Sequence, residues 1–237
     1  MMKIAVIAPG ALPEEAKMAM KADMLSYAEP GTTLEVFAVE EGKIAVAADL
    51  DLKAPSTVAL AQKIENQGFD AIILDGTCDF SLVAARSAVR IPVVGAASAT
   101  YHLVYQLGGK YAVISVNEKI NPTFLRAIKL ADCENRLTSM RALKRPFSVP
   151  MDSLPYTPEE LEEEIAEIAA KQIEEEGAQI IVVAFTLLNL FVKPGALERL
   201  SSRLNAVFVD SQAIAFKTAE MLVRLKLSHS EREYPLL

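Results

Sequence analysis

Residues 70–79 read DAIILDGTCD, an apolar run typical of a buried strand that ends in small polar residues. Residues 178–186, AQIIVVAFT, repeat this pattern in the second half of the chain. Each stretch is followed by a helical pattern and a second strand, IPVVGAAS at 91–98 and AVFVDS at 206–211. Ligands of open α/β sheets bind where the carboxyl ends of strands meet helix N-termini. The duplication therefore predicts one small-molecule site between two similar halves.

Strand and helix patterns alternate along the chain, which indicates an α/β fold with two pseudo-symmetric halves, each a mainly parallel sheet flanked by helices. We place the first α/β domain at residues 1–95 plus 207–237 and the second at 96–206. The motif order repeats from residue 96, and the last helix is expected to pack back on the first half. Thr157 and Glu160 predict a capping box at the start of a helix. Residues 40–53 show no clear hydrophobic periodicity, which predicts an irregular loop beside the site.

The bulk composition limits the classes of partner. With 237 residues, 51% of them hydrophobic, the chain predicts a folded protein rather than a disordered one. A net charge of -7 argues against a nucleic-acid partner, which needs a clustered basic face. No apolar run reaches the roughly 18 residues of a membrane span. Two cysteines without a secretion signal predict free thiols in the cytoplasm. The oligomeric state, a homo-oligomer included, is left open.

The thiol of Cys78 is the main catalytic candidate, because it follows a strand and precedes a helix, where dipole charge and free amides favour a thiolate. The alternative is a small buried hydrophobe. Asp75 and Asp79 flank it and could orient a substrate or act as acids; the alternative for Asp79 is a cap on the helix that follows it. Thr77 and Thr186 occupy similar places in the two halves. Their hydroxyls suit a substrate carboxylate or a helix cap equally well.

Cys133 and His102 are weaker candidates. Cys133 lies in a polar connection away from the strand ends, and His102 lies about one turn into a helix, where packed or surface histidines are commoner. The sequence contains no metal-ligand spacing, glycine-rich phosphate loop or serine-elbow motif.

Several segments share their order and spacing with one known family: FDAIIL at 69–74, CD at 78–79, AAR at 84–86, IPVVG at 91–95, LGGKYAVIS at 107–115, SMR at 139–141 and GAQIIVV at 177–183. Together they resemble the aspartate/glutamate/hydantoin racemase superfamily, and its hydantoin and allantoin racemase branch in particular. The resemblance covers nearly the whole chain.

This resemblance implies that two pseudo-symmetric halves enclose the substrate in a cleft, with one cysteine per half facing each side of a carbon acid. One thiolate removes the α-proton, and the other thiol returns a proton to the opposite face. Backbone amides and hydroxyls hold the carboxylate or ring carbonyls and stabilise the enolate-like charge. The resemblance implies no cofactor.

The chain departs from this family pattern at both cysteine positions. Phe185 stands at the second, and the first falls on Gly76, two residues before Cys78. The first-strand loop, APGA at 8–11, lacks the family's polar side chains, and Ser98 stands where a glutamate is common. The substrate-binding residues predicted by this correspondence are Gly10, Gly76, Thr77, Asp79, Ser98, Phe185 and Thr186.

These departures argue against two-base racemisation, because a phenyl ring supplies no acid and the Thr186 hydroxyl is too weak an acid near neutral pH. A single thiol can still protonate an enolate from one face. The sequence therefore predicts an isomerase or decarboxylase of a small carboxylate, keto acid or hydantoin-like ring, with Cys78 as sole proton donor or nucleophile. The alternatives are a non-catalytic small-molecule-binding or regulatory protein on the same scaffold, and an accessory protein that acts through an interface at residues 40–53.

Overall fold

Two four-stranded parallel sheets form the framework in the computed structural model, which describes residues 1–39, 44–146 and 155–237. The first sheet has the order β2-β1-β3-β4, with β1 at Met2–Ala8, β2 at Thr32–Ala38, β3 at Ala71–Leu74 and β4 at Val93–Gly95. The second has the order β6-β5-β7-β8, with β5 at Tyr111–Ser115, β6 at Leu137–Ala142, β7 at Ile180–Ala184 and β8 at Val207–Val209. The two orders match strand for strand, which confirms the α/β class with two similar halves.

The central strands read as continuous apolar runs because helices cover both faces of each sheet. Every residue of β3, β5 and β7 is buried. The covering helices are α1 Glu14–Ser26, α2 Ala47–Asp51, α3 Ala54–Asn66, α4 Leu82–Arg86, α5 Ala96–Leu107, α6 Asn121–Leu130, α7 Pro158–Glu174, α8 Ala196–Leu204 and α9 Ser211–Leu225. Within the described ranges, none of the helices is both long enough and apolar enough to cross a bilayer.

The start of α7 confirms the predicted capping box. The Thr157 hydroxyl accepts from the Glu160 amide over 3.2 Å, and a Glu160 carboxylate oxygen accepts from the Thr157 amide over 2.9 Å. The prediction of an irregular loop at 40–53 is wrong for Ala47–Asp51, which forms α2. The remainder of that prediction falls partly on residues 40–43, which lie outside the described residues.

The predicted domain boundary after residue 206 is wrong by at least three residues. Strand β8 pairs with β7 in the second sheet, Val209 opposite Val182, so the chain leaves this sheet only at Asp210. A three-residue strand gives too short a pattern to assign without its partner. Beyond it, α9 packs against α5, β3 and β4, and Phe216 on its buried face has no exposed surface. This helix joins the halves.

Strand β3 alternates between two apolar clusters. Ala71 and Ile73 belong to the cluster that contains Phe216 of α9. Ile72 and Leu74 belong to the cluster on the other face of the sheet. Because successive side chains of a strand point to opposite faces, this alternation determines which side the residues after Leu74 approach first.

Candidate active site at the strand ends

The carboxyl ends of β1, β3, β5 and β7 surround a cavity of about 80 Å³ between the two halves. Its described lining is mostly apolar, and the polar side chains belong to the segments that follow β3 and β7. The lining residues are Ala8, Pro9, Gly10, Leu12, Ile44, Leu50, Asp75, Gly76, Thr77, Cys78, Val116, Ile120, Phe124, Ala184, Phe185, Thr186 and Leu187. The structure thus brings together six of the predicted site residues, Gly10, Gly76, Thr77, Cys78, Phe185 and Thr186.

A tight turn after β3 brings the Cys78 thiol to this cavity. The Cys78 amide donates to the Gly76 carbonyl oxygen over 2.8 Å, and Gly76 has φ +114°, which L side chains rarely adopt. A Cβ placed on Gly76 would lie 3.6 Å from Cys78 Sγ. The thiol therefore lies beside the point from which a side chain at position 76 would extend.

The expectation that the strand end favours a Cys78 thiolate is wrong. The helix that follows, Leu82–Arg86, has only five residues. Burial of the thiol, and then the charges of Asp79 and Asp75, raise the pKa of Cys78 to about 12, against smaller opposing effects of backbone hydrogen bonds. The thiol stays protonated at neutral pH. That state suits a proton donor and does not suit a nucleophile.

Thr77 contributes an unsatisfied hydroxyl to the cavity lining. The residue is only 2% exposed, and its Oγ1 has no hydrogen-bond partner in the part of the chain that the structure describes. A buried hydroxyl without a partner is destabilising, so its presence favours a ligand that would satisfy it. This supports the predicted role of Thr77 in substrate binding.

Asp75 is a buried carboxyl at the end of β3, exposed by only 4%. Burial raises the pKa of Asp75 to about 6, and the charge of Asp210 raises it further. The Thr186 and Gln212 side chains and the Gly76 amide lower it. The predicted binding set omits Asp75 and Gln212. Gln212 gives no local signal in the sequence, because only the return of α9 to the first half brings it to this carboxyl.

Asp79 and Ser98, by contrast, are not among the described residues that line the cavity, which argues against their predicted role in substrate binding. The two Asp79 carboxylate oxygens accept from the Ala97 and Ser98 amides over 2.8 and 2.9 Å. Asp79 thus caps the start of α5, and not the helix that directly follows it, α4, which was the alternative prediction. Its φ of +50° turns the chain away from the cavity. Gly95 makes room for this cap, because a Cβ there would overlap the Asp79 carboxylate.

The second half presents an apolar wall where the resemblance expects a thiol. The Phe185 ring stacks on Phe191, with ring centroids 5.5 Å apart and an interplanar angle of 17°. Thr186, the next residue, lines the cavity and contacts Asp75 of the first half. The two halves therefore contribute different chemistry to one cavity.

The weaker candidates lie elsewhere. Cys133 is buried, and its Sγ donates to the Ala131 carbonyl oxygen over 3.2 Å. His102 is exposed on α5, and neither residue lines the cavity. No group of three His, Cys, Asp or Glu residues among those described converges in a way that could hold a metal ion.

Comparisons with known proteins point to one family. A family model described as Asp/Glu/Hydantoin racemase matches residues 22–219. A hydantoin racemase from Pseudomonas sp. (strain NS671) is 25% identical over 176 residues, which are 73% of this chain; the chain spans 66% of that relative's length.

Three solved structures share the fold. Allantoin racemase from Klebsiella pneumoniae superposes with a TM-score of 0.86 at 19% identity, covering 100% of this chain and 94% of that one. A mutant of arylmalonate decarboxylase in the liganded form gives 0.72 at 18% identity, covering 94% and 93%. The maleate isomerase Iso from Pseudomonas putida S16 gives 0.68 at 13% identity, covering 95% and 93%.

Alkylation by iodoacetamide tests the raised pKa of Cys78. We expect a slow reaction at neutral pH whose rate still increases at pH 10, because the thiolate fraction stays small until the pH nears about 12. Asp75→Asn removes one charge that raises this pKa and should move the profile to lower pH. Mass spectrometry of the labelled peptide, in a Cys133→Ser background, gives the rates. A profile that levels off near about pH 8.5, the value for a free thiol, would contradict the effect of burial.

A double-mutant cycle tests the cap that Asp79 forms on α5. We expect Asp79→Ala to lower the free energy of unfolding by about 1 kcal/mol, as loss of a helix cap does. Gly95→Ala should cost about 1–3 kcal/mol in the parent by overpacking, and markedly less when Asp79 is already alanine. Urea unfolding of the four proteins gives the coupling. Additive costs would show that Gly95 does not make room for the carboxylate.

Proposed function

The chain belongs to the Asp/Glu/hydantoin racemase family, and from this premise we propose that it is an enzyme that moves protons on a small carbon acid without a cofactor. The curated hydantoin racemase and the solved structures of allantoin racemases agree with the hydantoin and allantoin racemase branch of that family. The proposed substrate is a small carboxylate, keto acid or hydantoin-like ring. The proposed reaction is an isomerisation or a decarboxylation that uses one cysteine.

One observation carries this proposal: Cys78 Sγ lies 3.6 Å from the Cβ position of residue 76, where the family places its first cysteine. The turn thus supplies a thiol to the same side of the cavity from a different position in the chain. Because burial keeps this thiol protonated, its role is to donate the proton. An enolate or carbanion accepts that proton on carbon, and the S–H bond breaks as the new C–H bond forms.

Phe185 supports a substrate with an apolar substituent. Its ring offers no proton, so the second half cannot return one from that residue. Phe185, whose ring stacks on Phe191, instead gives an aryl or branched alkyl group an apolar surface at the cavity wall. On the polar side, the Thr77 and Thr186 hydroxyls can hold a carboxylate or ring carbonyl.

The cellular setting belongs to the same proposal. Cys78 and Cys133 are both free and buried, which supports a reducing, cytoplasmic environment. The proposed partner is the small-molecule substrate alone, and a homo-oligomer stays compatible with it.

A panel assay in D₂O tests the proposed function. The compounds are 5-benzylhydantoin, allantoin, phenylmalonate and maleate, and ¹H NMR follows C–H exchange, loss of CO₂ and change of double-bond geometry. We expect turnover of at least one compound, and a loss of about 100-fold or more in Cys78→Ser, because the hydroxyl is a much weaker acid. Cys133→Ser is the matched control and should retain the parent rate.

The outcomes of this panel separate the candidate functions. Parent turnover that survives Cys78→Ser would remove Cys78 from the mechanism. Saturable binding of a panel compound without any turnover, unchanged in Cys78→Ser, would favour the non-catalytic binding protein. Two observations favour that alternative: the apolar cavity wall at Phe185 and the Cys78 thiol that ionises poorly.

Substitution of Phe185 tests why the parent should not racemise. We expect the parent to leave the configuration of (S)-5-benzylhydantoin unchanged, and Phe185→Cys to racemise it, because a thiol then stands in each half. Loss of the ring should also lower the free energy of unfolding by about 3 kcal/mol or more, so rates are normalised to folded protein. Circular dichroism follows the optical activity. Racemisation by the parent at the rate of the variant would restore the two-base mechanism.

A further inference from the structure

Asp75 is a buried carboxyl whose role the proposed one-cysteine chemistry leaves open. It is the only charged residue among the described residues that line the cavity. Isolated buried carboxylates oppose folding, and where they lie in a cleft they commonly serve function. We infer that Asp75 is a further catalytic residue, the base that removes the proton which Cys78 later replaces; this inference rests on the proposed function.

The geometry places the two groups on different sides of one strand end. Ile73 belongs to the cluster beneath α9, and Leu74 belongs to the opposite cluster, which also contains Cys78. The alternation of the strand therefore directs Asp75 to the α9 side, where it contacts Thr186 and Gln212. Both side chains nevertheless reach the cavity from the first half of the molecule. A carbon acid held against this half can lose a proton to Asp75 and gain a proton from Cys78 on the same face.

The surroundings of Asp75 keep it available as a base. The titratable groups that act on it or interact with it are Asp210, at the start of α9, and Cys78 on its own loop. The second half and α9 present the neutral Thr186 and Gln212 side chains to it. Burial raises the pKa of Asp75 to about 6, so the carboxylate form predominates at neutral pH but takes up a proton readily.

The proposed cycle balances with water as the only further reactant. The Asp75 carboxylate takes the proton of a C–H bond next to a carbonyl, and the bonding electron pair becomes the enolate. Cys78 then gives its S–H proton to carbon, and the electron pair of the enolate forms the new C–H bond. Asp75 then releases its proton to water, and the Cys78 thiolate takes a proton from water, which restores both groups and brings deuterium to carbon in D₂O. Because both residues belong to the segment that follows β3, we assign the site to proton shifts rather than to inversion of one centre.

Hydrogen exchange in 5-benzylhydantoin tests this inference. In D₂O we expect the parent to replace the C5 proton with deuterium while configuration is retained, at a rate that falls below about pH 6 as Asp75 is protonated. Asp75→Asn should lose about 100-fold or more of the exchange rate. Glu164→Gln, a matched change at a carboxyl that is buried on α7 and does not line the cavity, should retain the parent rate per folded molecule.

Thermal unfolding gives a readout that does not depend on turnover. Because the folded-state pKa of Asp75 is raised, its ionisation disfavours the folded protein as the pH rises through about 6. Asp75→Asn should therefore match or exceed the parent Tm at pH 8 while losing exchange. A Tm well below that of the parent would mean that the carboxylate is structural, and would overturn the inference.

The remaining outcomes are distinguishable from failure of the proposed function. If Cys78→Ser loses activity and Asp75→Asn exchanges at the parent rate, the role of Asp75 is overturned and the one-cysteine function stands. The parent could instead turn over another panel compound in a reaction that needs Cys78, without exchanging 5-benzylhydantoin. In that case only the role of Asp75 is overturned, and the proposed function stands. If the parent acts on no panel compound, both fail together.

Discussion

The reversal of the backbone at Gly76 is the constraint on which the site depends. Its positive φ and the hydrogen bond from the Cys78 amide to its carbonyl oxygen fold the chain back within three residues of β3. Asp75, Thr77 and Cys78 consequently line one small cavity. A side chain at position 76 would need a strained backbone conformation, and its Cβ would come into contact with the Cys78 thiol. Gly76 and Cys78 therefore depend on each other: the glycine permits the turn, and the turn brings the cysteine thiol to the cavity.

The second half completes this site through α9. Asp210 ends β8 and caps α9, with one carboxylate oxygen accepting from the Gln212 and Ala213 amides at 2.9 Å. The helix then crosses to the first sheet, where Phe216 is fully buried. This crossing brings Gln212 to Asp75, while Thr186 reaches the same carboxyl from β7. The polar lining of the cavity thus comes from both halves of the molecule. The apolar packing of α9 against the first sheet holds the residues of the two halves in position.

The fold could be predicted from the sequence because its signals are local. Apolar runs such as 70–74 and 178–184 form buried parallel strands, and the Thr157 capping box needs only four residues. The site was less predictable, because it depends on tertiary relations. Whether Asp75 or Asp79 faces the cavity depends on a backbone dihedral angle at the turn. From the sequence, Asp79 was the residue predicted to bind the substrate. The pKa of Cys78 depends on burial by residues that are distant in sequence. The sequence therefore predicted a shift of this pKa in the wrong direction.

The electrostatics of Asp75 and Cys78 act in a way that suits alternating proton transfer. The negative charge of Asp75 is one of the causes that raise the pKa of Cys78 to about 12. When Asp75 accepts a proton, that charge disappears, and the thiol becomes a stronger acid at the moment an enolate is present to receive its proton. When the thiolate forms, its negative charge in turn raises the pKa of the Asp75 carboxyl above the value that this carboxyl has beside a neutral thiol. In a small cavity with a low effective dielectric such coupling is large, whereas bulk water would screen it. In the proposed cycle, the burial that makes the thiol a poor nucleophile also strengthens the coupling between this pair when protons move.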